Sequence, residues 1–196
     1  MRITDEITLF DGLSESAQLM VADRDLVDVR RATETICWPP GSETFVINPT
    51  REGNGVVPIR KAFALGLRNL GWDLEVGPFG SGGPGPFDGA RPNSVGWSTF
   101  VEWETGNISS SHRSLNRLVL ALMRRIARQG VLVLADAGLY PFLTDRVGNW
   151  RELSIYRDVY DRDDVPGRLV VVAVSFDATD PLVPLIGKGT DGRALR

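Results

Sequence analysis

The stretch Thr99-Phe100-Val101-Glu102-Trp103-Glu104-Thr105 sets two carboxylates two residues apart in a run of strand formers. Successive side chains of a strand point to opposite faces, so Glu102 and Glu104 share one. Upstream, Asp88 stands alone in the glycine- and proline-crowded segment 77–92. Two unit negative charges roughly 4 Å apart repel by about 4 kcal/mol at an effective dielectric near ~20. The neighbours Phe100, Val101 and Trp103 mark the strand as mostly buried, where an unpaired carboxylate is costly. A hard divalent cation relieves both costs and prefers oxygen ligands. If the intervening hairpin returns Asp88 to the pair, the three acids could hold Mg²⁺ against a phosphodiester, activate water and steady the leaving oxygen. Exposed strands also carry glutamates routinely, and Glu-x-Glu spacing alone does not choose between the two readings.

A second constellation is basic. Arg113, Arg117, Arg124 and Arg128 fall within about 60° of one another on a helical wheel at about 100° per residue. They lie opposite the stripe Leu115, Leu118, Val119, Leu122 and Ile126. Such a face suits either plain solvation or a grip on nucleic-acid phosphates, to which Asn107 and Ser109 at the helix start could add donors. Arg60, Lys61 and Arg68 form a smaller patch on an earlier helix. His112 is the only histidine, so a histidine-based metal cluster is excluded. No Gly-x-Ser-x-Gly elbow accompanies it, and the glycines of 77–89 lack the Gly-Lys-Ser/Thr of a phosphate loop.

The elements that must position these groups are legible in outline. A helix is expected from about Ser14 to Arg31, then a break at Pro39-Pro40-Gly41 and a short strand over Glu43–Ile47. Pro58 opens a second helix whose Ile59, Phe63, Leu67 and Leu70 share a face and which Gly71 closes. Trp72–Val76 alternates as a strand, and Gly77–Pro92 reads as a loop or irregular hairpin. Ser109-Ser110-Ser111 can cap a helix that runs to about Gln129, with Gly130 as its stop. Val131–Ala135 and Leu169–Val174 read as strands covered on both sides, with a helix over Arg146–Tyr160 between them. The expected class is α/β, a mixed central sheet flanked by helices.

Composition bounds the partners. The 196 residues suit a single domain, with a core over about 53–176 and an N-terminal helical extension over about 1–50. No apolar run reaches membrane-spanning length and no secretory pattern follows Met1. The lone Cys37 allows no internal disulfide and fits a reducing cytoplasm. The net charge of −3 excludes a chain that is basic all over but leaves room for a local basic patch. Nearly all the basic residues are arginine, which fits phosphate and guanine recognition and equally fits a GC-rich coding sequence.

Pro86-Phe87-Asp88 followed by Glu102-Trp103-Glu104 resembles the PD…(D/E)xK signature of the restriction-endonuclease-like nucleases. The order helix, three-strand meander, helix, strand over about Gly53 to Ala135 fits that family's core. Glutamate in place of the usual lysine resembles the BamHI and BglII group of type II restriction endonucleases. Phe87 between Pro86 and Asp88, and the long spacer before Glu102, depart from the pattern. The resemblance implies that Asp88 and Glu102 ligate Mg²⁺, with the Trp103 carbonyl as a further ligand. Glu104 then takes the lysine's place and orients or deprotonates the attacking water. Glu52 is the nearest candidate for an additional acid, ahead of Asp73 and Glu75.

The chain is therefore expected to be a Mg²⁺-dependent, sequence-specific double-stranded DNA endonuclease of type II, acting as a cytoplasmic homodimer. The region Leu139–Leu143 could be the dimer contact or part of the core. The alternative is a non-catalytic DNA-binding regulator or accessory protein on the same fold.

Overall fold

A computed structural model describes residues 1–188 apart from 95 and 145. Six strands form one mixed sheet in the order β1-β7-β6-β5-β4-β3. They are β1 (Arg2–Asp11), β3 (Asp73–Val76), β4 (Phe87–Asn93), β5 (Gly96–Trp103), β6 (Gln129–Ala135) and β7 (Arg168–Ser175). β5, β6 and β7 run parallel, whereas β1 on one side and β4 and β3 on the other are antiparallel to their neighbours. A two-stranded parallel ribbon, β2 (Val46–Ile47) with β8 (Ala178–Thr179), lies apart from it.

Two apolar layers cover the sheet. Helices α1 (Ser16–Glu34) and α2 (Val57–Asn69) bury Leu26, Val29, Ile59, Phe63 and Leu67 against Val101, Trp103, Val131, Val133 and Val172 on one face. Helix α3 (Ile108–Met123) and the short α4 (Trp150–Ser154) bury Leu115, Leu118, Leu122 and Leu153 against Phe100, Leu132, Leu134 and Val171 on the other. Every residue of β6 and β7 is buried, as strands roofed on both faces require. Asp25 of α1, wholly buried, accepts hydrogen bonds from the hydroxyls of Ser98 and Thr99 and so ties the first helix to the root of β5.

Several elements differ from the sequence expectations. The first fifty residues are not only helical, because β1 adds an edge strand along β7 before α1 begins. Segment 77–92 is not all loop. From Phe87 onward it is strand β4, paired to both β3 and β5 and broken in register only between Arg91 and Pro92. Helix α3 ends at Met123 rather than Gln129, where Arg125 turns to a positive φ of 55°. Gly130 is no helix stop but lies inside β6, where a Cβ would meet the Leu118 Cβ at 3.0 Å and Leu169 at 3.2 Å. The helix expected over Arg146–Tyr160 shrinks to α4 and a 3-10 turn at Arg157–Val159. Arg146 has a positive φ, and Asn149 caps a new start by accepting from Glu152 N. In the Leu139–Leu143 region, Leu139 and Leu143 are core residues, so their apolar surface is already spent inside the fold.

Candidate active site

Strand β5 carries both glutamates toward α3. Glu102 lies near its end. Glu104 stands one residue beyond it, held in line because its N–H donates to the Val133 carbonyl at 2.8 Å. Both side chains are buried, with exposures of 3% and 8%. Each meets a residue of α3 one turn apart: Glu104 Oε2 accepts from Ser114 Oγ at 2.9 Å, and Glu102 Oε1 is in ion-pair contact with Arg117. The other oxygen of Glu104 accepts from the Gly106 N–H at 2.6 Å, in the turn that leads into α3. Strand and helix thus form one wall, as the shared face of the two carboxylates predicts.

Asp88 arrives on the neighbouring strand. Gly89 pairs with Val101, so Asp88 stands one step on, level with Glu102. Its Oδ2 accepts from the Trp103 N–H at 2.7 Å, and its Oδ1 accepts from the Arg60 guanidinium, with Arg60 Nε at 3.0 Å. Arg60 comes from α2, on the far side of the sheet from Arg117, and also pairs with Glu75 at 2.8 Å. The aspartate is therefore tied both to α2 and to the backbone of β5.

Burial pushes the Glu102 carboxyl up to about 8. The Arg117 charge opposes this, the Asp88 and Glu104 charges add to it, and a backbone hydrogen bond from Asp88 pulls it down again. Glu102 Oε1 is buried and, despite the arginine beside it, accepts no hydrogen bond. Among the described residues no three His, Cys, Asp or Glu side chains converge closely enough to hold a metal ion as they stand. The oxygens of Asp88, Glu102, Glu104 and the Trp103 carbonyl are all hard donors. That set suits Mg²⁺ or Ca²⁺ rather than a softer metal.

The basic residues separate. Arg117 is only 15% exposed on its side chain and belongs to the acidic wall, not to a solvent face. Arg113 stays exposed on the first half of α3 and reaches Ser110 Oγ at 3.4 Å. Arg124 caps the C-terminus of α3 and packs 5.5 Å from the Phe79 ring. Arg128 lies past the helix, where its N–H donates to the Ser98 carbonyl and its carbonyl accepts from Arg168. The helical wheel fails for the last two because the helix has ended. The serine run is not the cap either: Asn107 is, accepting from Ser110 N at 3.2 Å, with Asn107 and Ser109 both exposed. His112 contacts the Tyr160 hydroxyl at 2.9 Å and the edge of Tyr156, away from the carboxylates. Glu52 is exposed and apart from the cluster, in a turn whose N–H bonds the Pro141 carbonyl. Of the weaker acid candidates, Glu75 is linked to the site through Arg60, and Asp73 is exposed.

Sequence reasoning missed the pairing roles of Arg60, Ser114 and Arg117. The i, i+3 spacing of Ser114 and Arg117 was readable, but their opposition to Glu104 and Glu102 depends on how α3 docks on β5.

Comparison with known proteins agrees with this geometry. The restriction endonuclease BamHI family profile matches residues 1–193. The type II restriction enzyme OkrAI of Oceanobacter kriegii is 44% identical over 175 residues, covering 87% of this chain and 89% of that protein. The type II restriction enzyme BamHI of Bacillus amyloliquefaciens is 32% identical over 195 residues, covering 93% and 90%. Among solved structures, restriction endonuclease BglII complexed with a DNA 16-mer superposes with a TM-score of 0.59 at 14% identity, over 93% of this chain and 85% of that one. With strand, helix and acids arranged as above, the chain belongs to the restriction endonuclease BamHI family.

Proposed function

We propose that the wall formed by Asp88, Glu102 and Glu104 is the catalytic centre of this type II restriction endonuclease, and that its cofactor is Mg²⁺. The observation that carries the reading is the burial of Glu102 and Glu104 side by side toward α3, with Glu102 Oε1 left without a hydrogen bond and Asp88 level with it on β4. Asp88 and Glu102 would hold the ion, joined by the Trp103 carbonyl. Bound Mg²⁺ supplies positive charge against the phosphodiester and lowers the cost of forming a nucleophile from water. Glu104 is the group that orients the attacking water and takes up its proton. Ser114 and Gly106 fix its two oxygens, so its lone pairs are aimed rather than free to rotate.

The duplex is read from the exposed start of α3. Asn107, Ser109 and Arg113 stand there, at the start of the helix whose Ser114 and Arg117 meet the glutamates, and can meet phosphates or base edges. Arg124 and Arg128, displaced from that face, would add at most peripheral phosphate contacts. Two chains act together, one acidic wall per strand, in the cytoplasm. Among the described residues no helix is long and apolar enough to cross a membrane.

The test is a pair of measurements on Glu104→Ala. With Ca²⁺ it should bind duplex DNA as the parent does. With Mg²⁺ its cleavage of plasmid should fall by about 10²-fold or more, the range of general acid–base contributions. Full cleavage by Glu104→Ala would remove Glu104 from the chemistry. Binding without cleavage by the parent protein itself would favour a non-catalytic regulator on this fold.

A further inference from the structure

Arg117 is built into the site more firmly than a surface cation would be. Its Nη1 donates to the carbonyls of Pro84 and Pro86, each at 3.1 Å, and its guanidinium carbon lies 5.6 Å from the centre of the Phe87 ring. Gly85, at φ +93°, brings the backbone so close that a Cβ there would meet Arg117 Nη1 at 3.3 Å. The end of the segment 77–86 is thus folded around one guanidinium. The opposite end of that guanidinium, Nη2, touches Glu102 Oε1, the buried oxygen that accepts no hydrogen bond.

These contacts set two demands against each other. Glu102 Oε1 is a buried carboxylate oxygen of the proposed ion site, and a cation already covers it. A guanidinium and a divalent ion in contact with the same carboxylate oxygen lie close together, and like charges repel most steeply where water is excluded. Arg117 must draw back from Oε1 if an ion is to be held there. Its remaining anchors are the buried Phe87 ring and two carbonyls of a glycine-rich segment with no buried side chain, so that segment is the part of the wall able to move with it. Asp88 follows that segment directly, two residues after Pro86.

We propose that Arg117 is a resident countercharge which a divalent cation must displace, and that this displacement couples ion uptake to the conformation of segment 77–86. The proposal rests on the reading of Asp88 and Glu102 as the ligands. Arg117 acts here as a positioning residue: it holds the carboxylate wall and the segment leading into Asp88 together, and releases both when an ion arrives.

The experiment measures Ca²⁺ binding by calorimetry and hydrogen exchange of segment 77–86, on the parent and on Arg117→Met, Arg117→Lys and Asp88→Asn. The parent should bind Ca²⁺, and Asp88→Asn should lose that binding. Arg117→Met should bind Ca²⁺ about tenfold more tightly than the parent, and Arg117→Lys should fall between them. In the parent, amides of segment 77–86 should exchange faster once Ca²⁺ is added. In Arg117→Met they should be fast already and unresponsive to Ca²⁺. Equal or weaker Ca²⁺ binding by a folded Arg117→Met overturns the displacement, as does parent exchange in 77–86 that ignores Ca²⁺; the latter stands even where the methionine variant does not fold. Failure of both parent and Arg117→Met to bind Ca²⁺ in an Asp88-dependent way would remove the ligand reading as well.

Discussion

At the scale of single residues, Glu102 stores the tension of the site. It is a carboxyl in the protein interior, near two other acids, with one arginine against it. Its folded-state value near 8 lies above the ordinary glutamate value of 4.5. The native protein therefore keeps a proton that the unfolded chain gives up, and stability of the metal-free protein falls as pH rises between those values. Below 4.5 both states hold the proton and no penalty remains. We predict that Glu102→Gln flattens this dependence. At pH 8, without divalent ions, it should melt roughly 5–10 °C above the parent, in line with a few kcal/mol in a chain of this length. Melting curves from pH 5 to 8.5 in chelator would check this, and parallel curves for the two proteins would show that Glu102 is not the strained group. The same variant should lose Ca²⁺ binding, so stability and function would move in opposite directions at one position.

At the scale of elements, the docking of α3 on β5 and β6 makes the wall. Gly130 permits it, because Leu118 of α3 sits where a Cβ at this position would point. We predict that Gly130→Val destabilises the fold by about 1–3 kcal/mol through overpacking, measured by urea unfolding. It should also depress cleavage by more than the unfolded fraction explains, since Ser114 and Arg117 ride on the same helix. A value within experimental error of the parent would show that α3 can shift without cost. The start of α3 carries a separate prediction. Arg113→Ala should weaken DNA binding and shallow the slope of log affinity against log salt by about 0.9, as removal of one phosphate contact would. Arg124→Ala, packed on Phe79, should change that slope less. Equal slopes in parent and Arg113→Ala would return that arginine to solvent.

At the scale of the whole molecule, one chain holds one acidic wall, and a duplex has two strands to cut. A protein with its own two-fold axis matches a two-fold symmetric site most simply. We predict a homodimer at micromolar concentration by sedimentation. The surface left for the contact is not Leu139 and Leu143, which are inside the core. Ile155, Tyr156 and Val159, exposed at 80%, 47% and 66%, instead form an apolar group within five residues of chain. A second copy is the partner that cutting both strands calls for. Ile155→Glu with Val159→Glu should yield monomers that nick rather than cut both strands. A parent that sediments as a monomer with and without DNA would overturn the dimer.

Much of this protein was determined by its sequence alone. Period-two alternation put Glu102 and Glu104 on one face, and that pairing survives in the fold because a strand leaves a side chain only two directions. The unbroken apolar runs of β6 and β7 announced a sheet roofed on both sides, and the helical spacing of Ile59, Phe63 and Leu67 announced α2. Local pattern could not say where α3 would stop, because Arg125 ends it by adopting a left-handed conformation that its residue type does not demand. Nor could it find β4 within a glycine- and proline-rich stretch, since that strand exists through pairing with partners on both sides. The fate of Arg117 was settled by tertiary structure in the strictest sense. A helical wheel places it beside Arg113 and facing outward, yet the loop Pro84–Pro86, the Phe87 ring and the buried Glu102 meet there only once the sheet is assembled. Charge and spacing are local properties that the chain carries into any conformation. Which carboxylate an arginine faces is a matter of packing between segments distant in sequence, and only the folded molecule decides it.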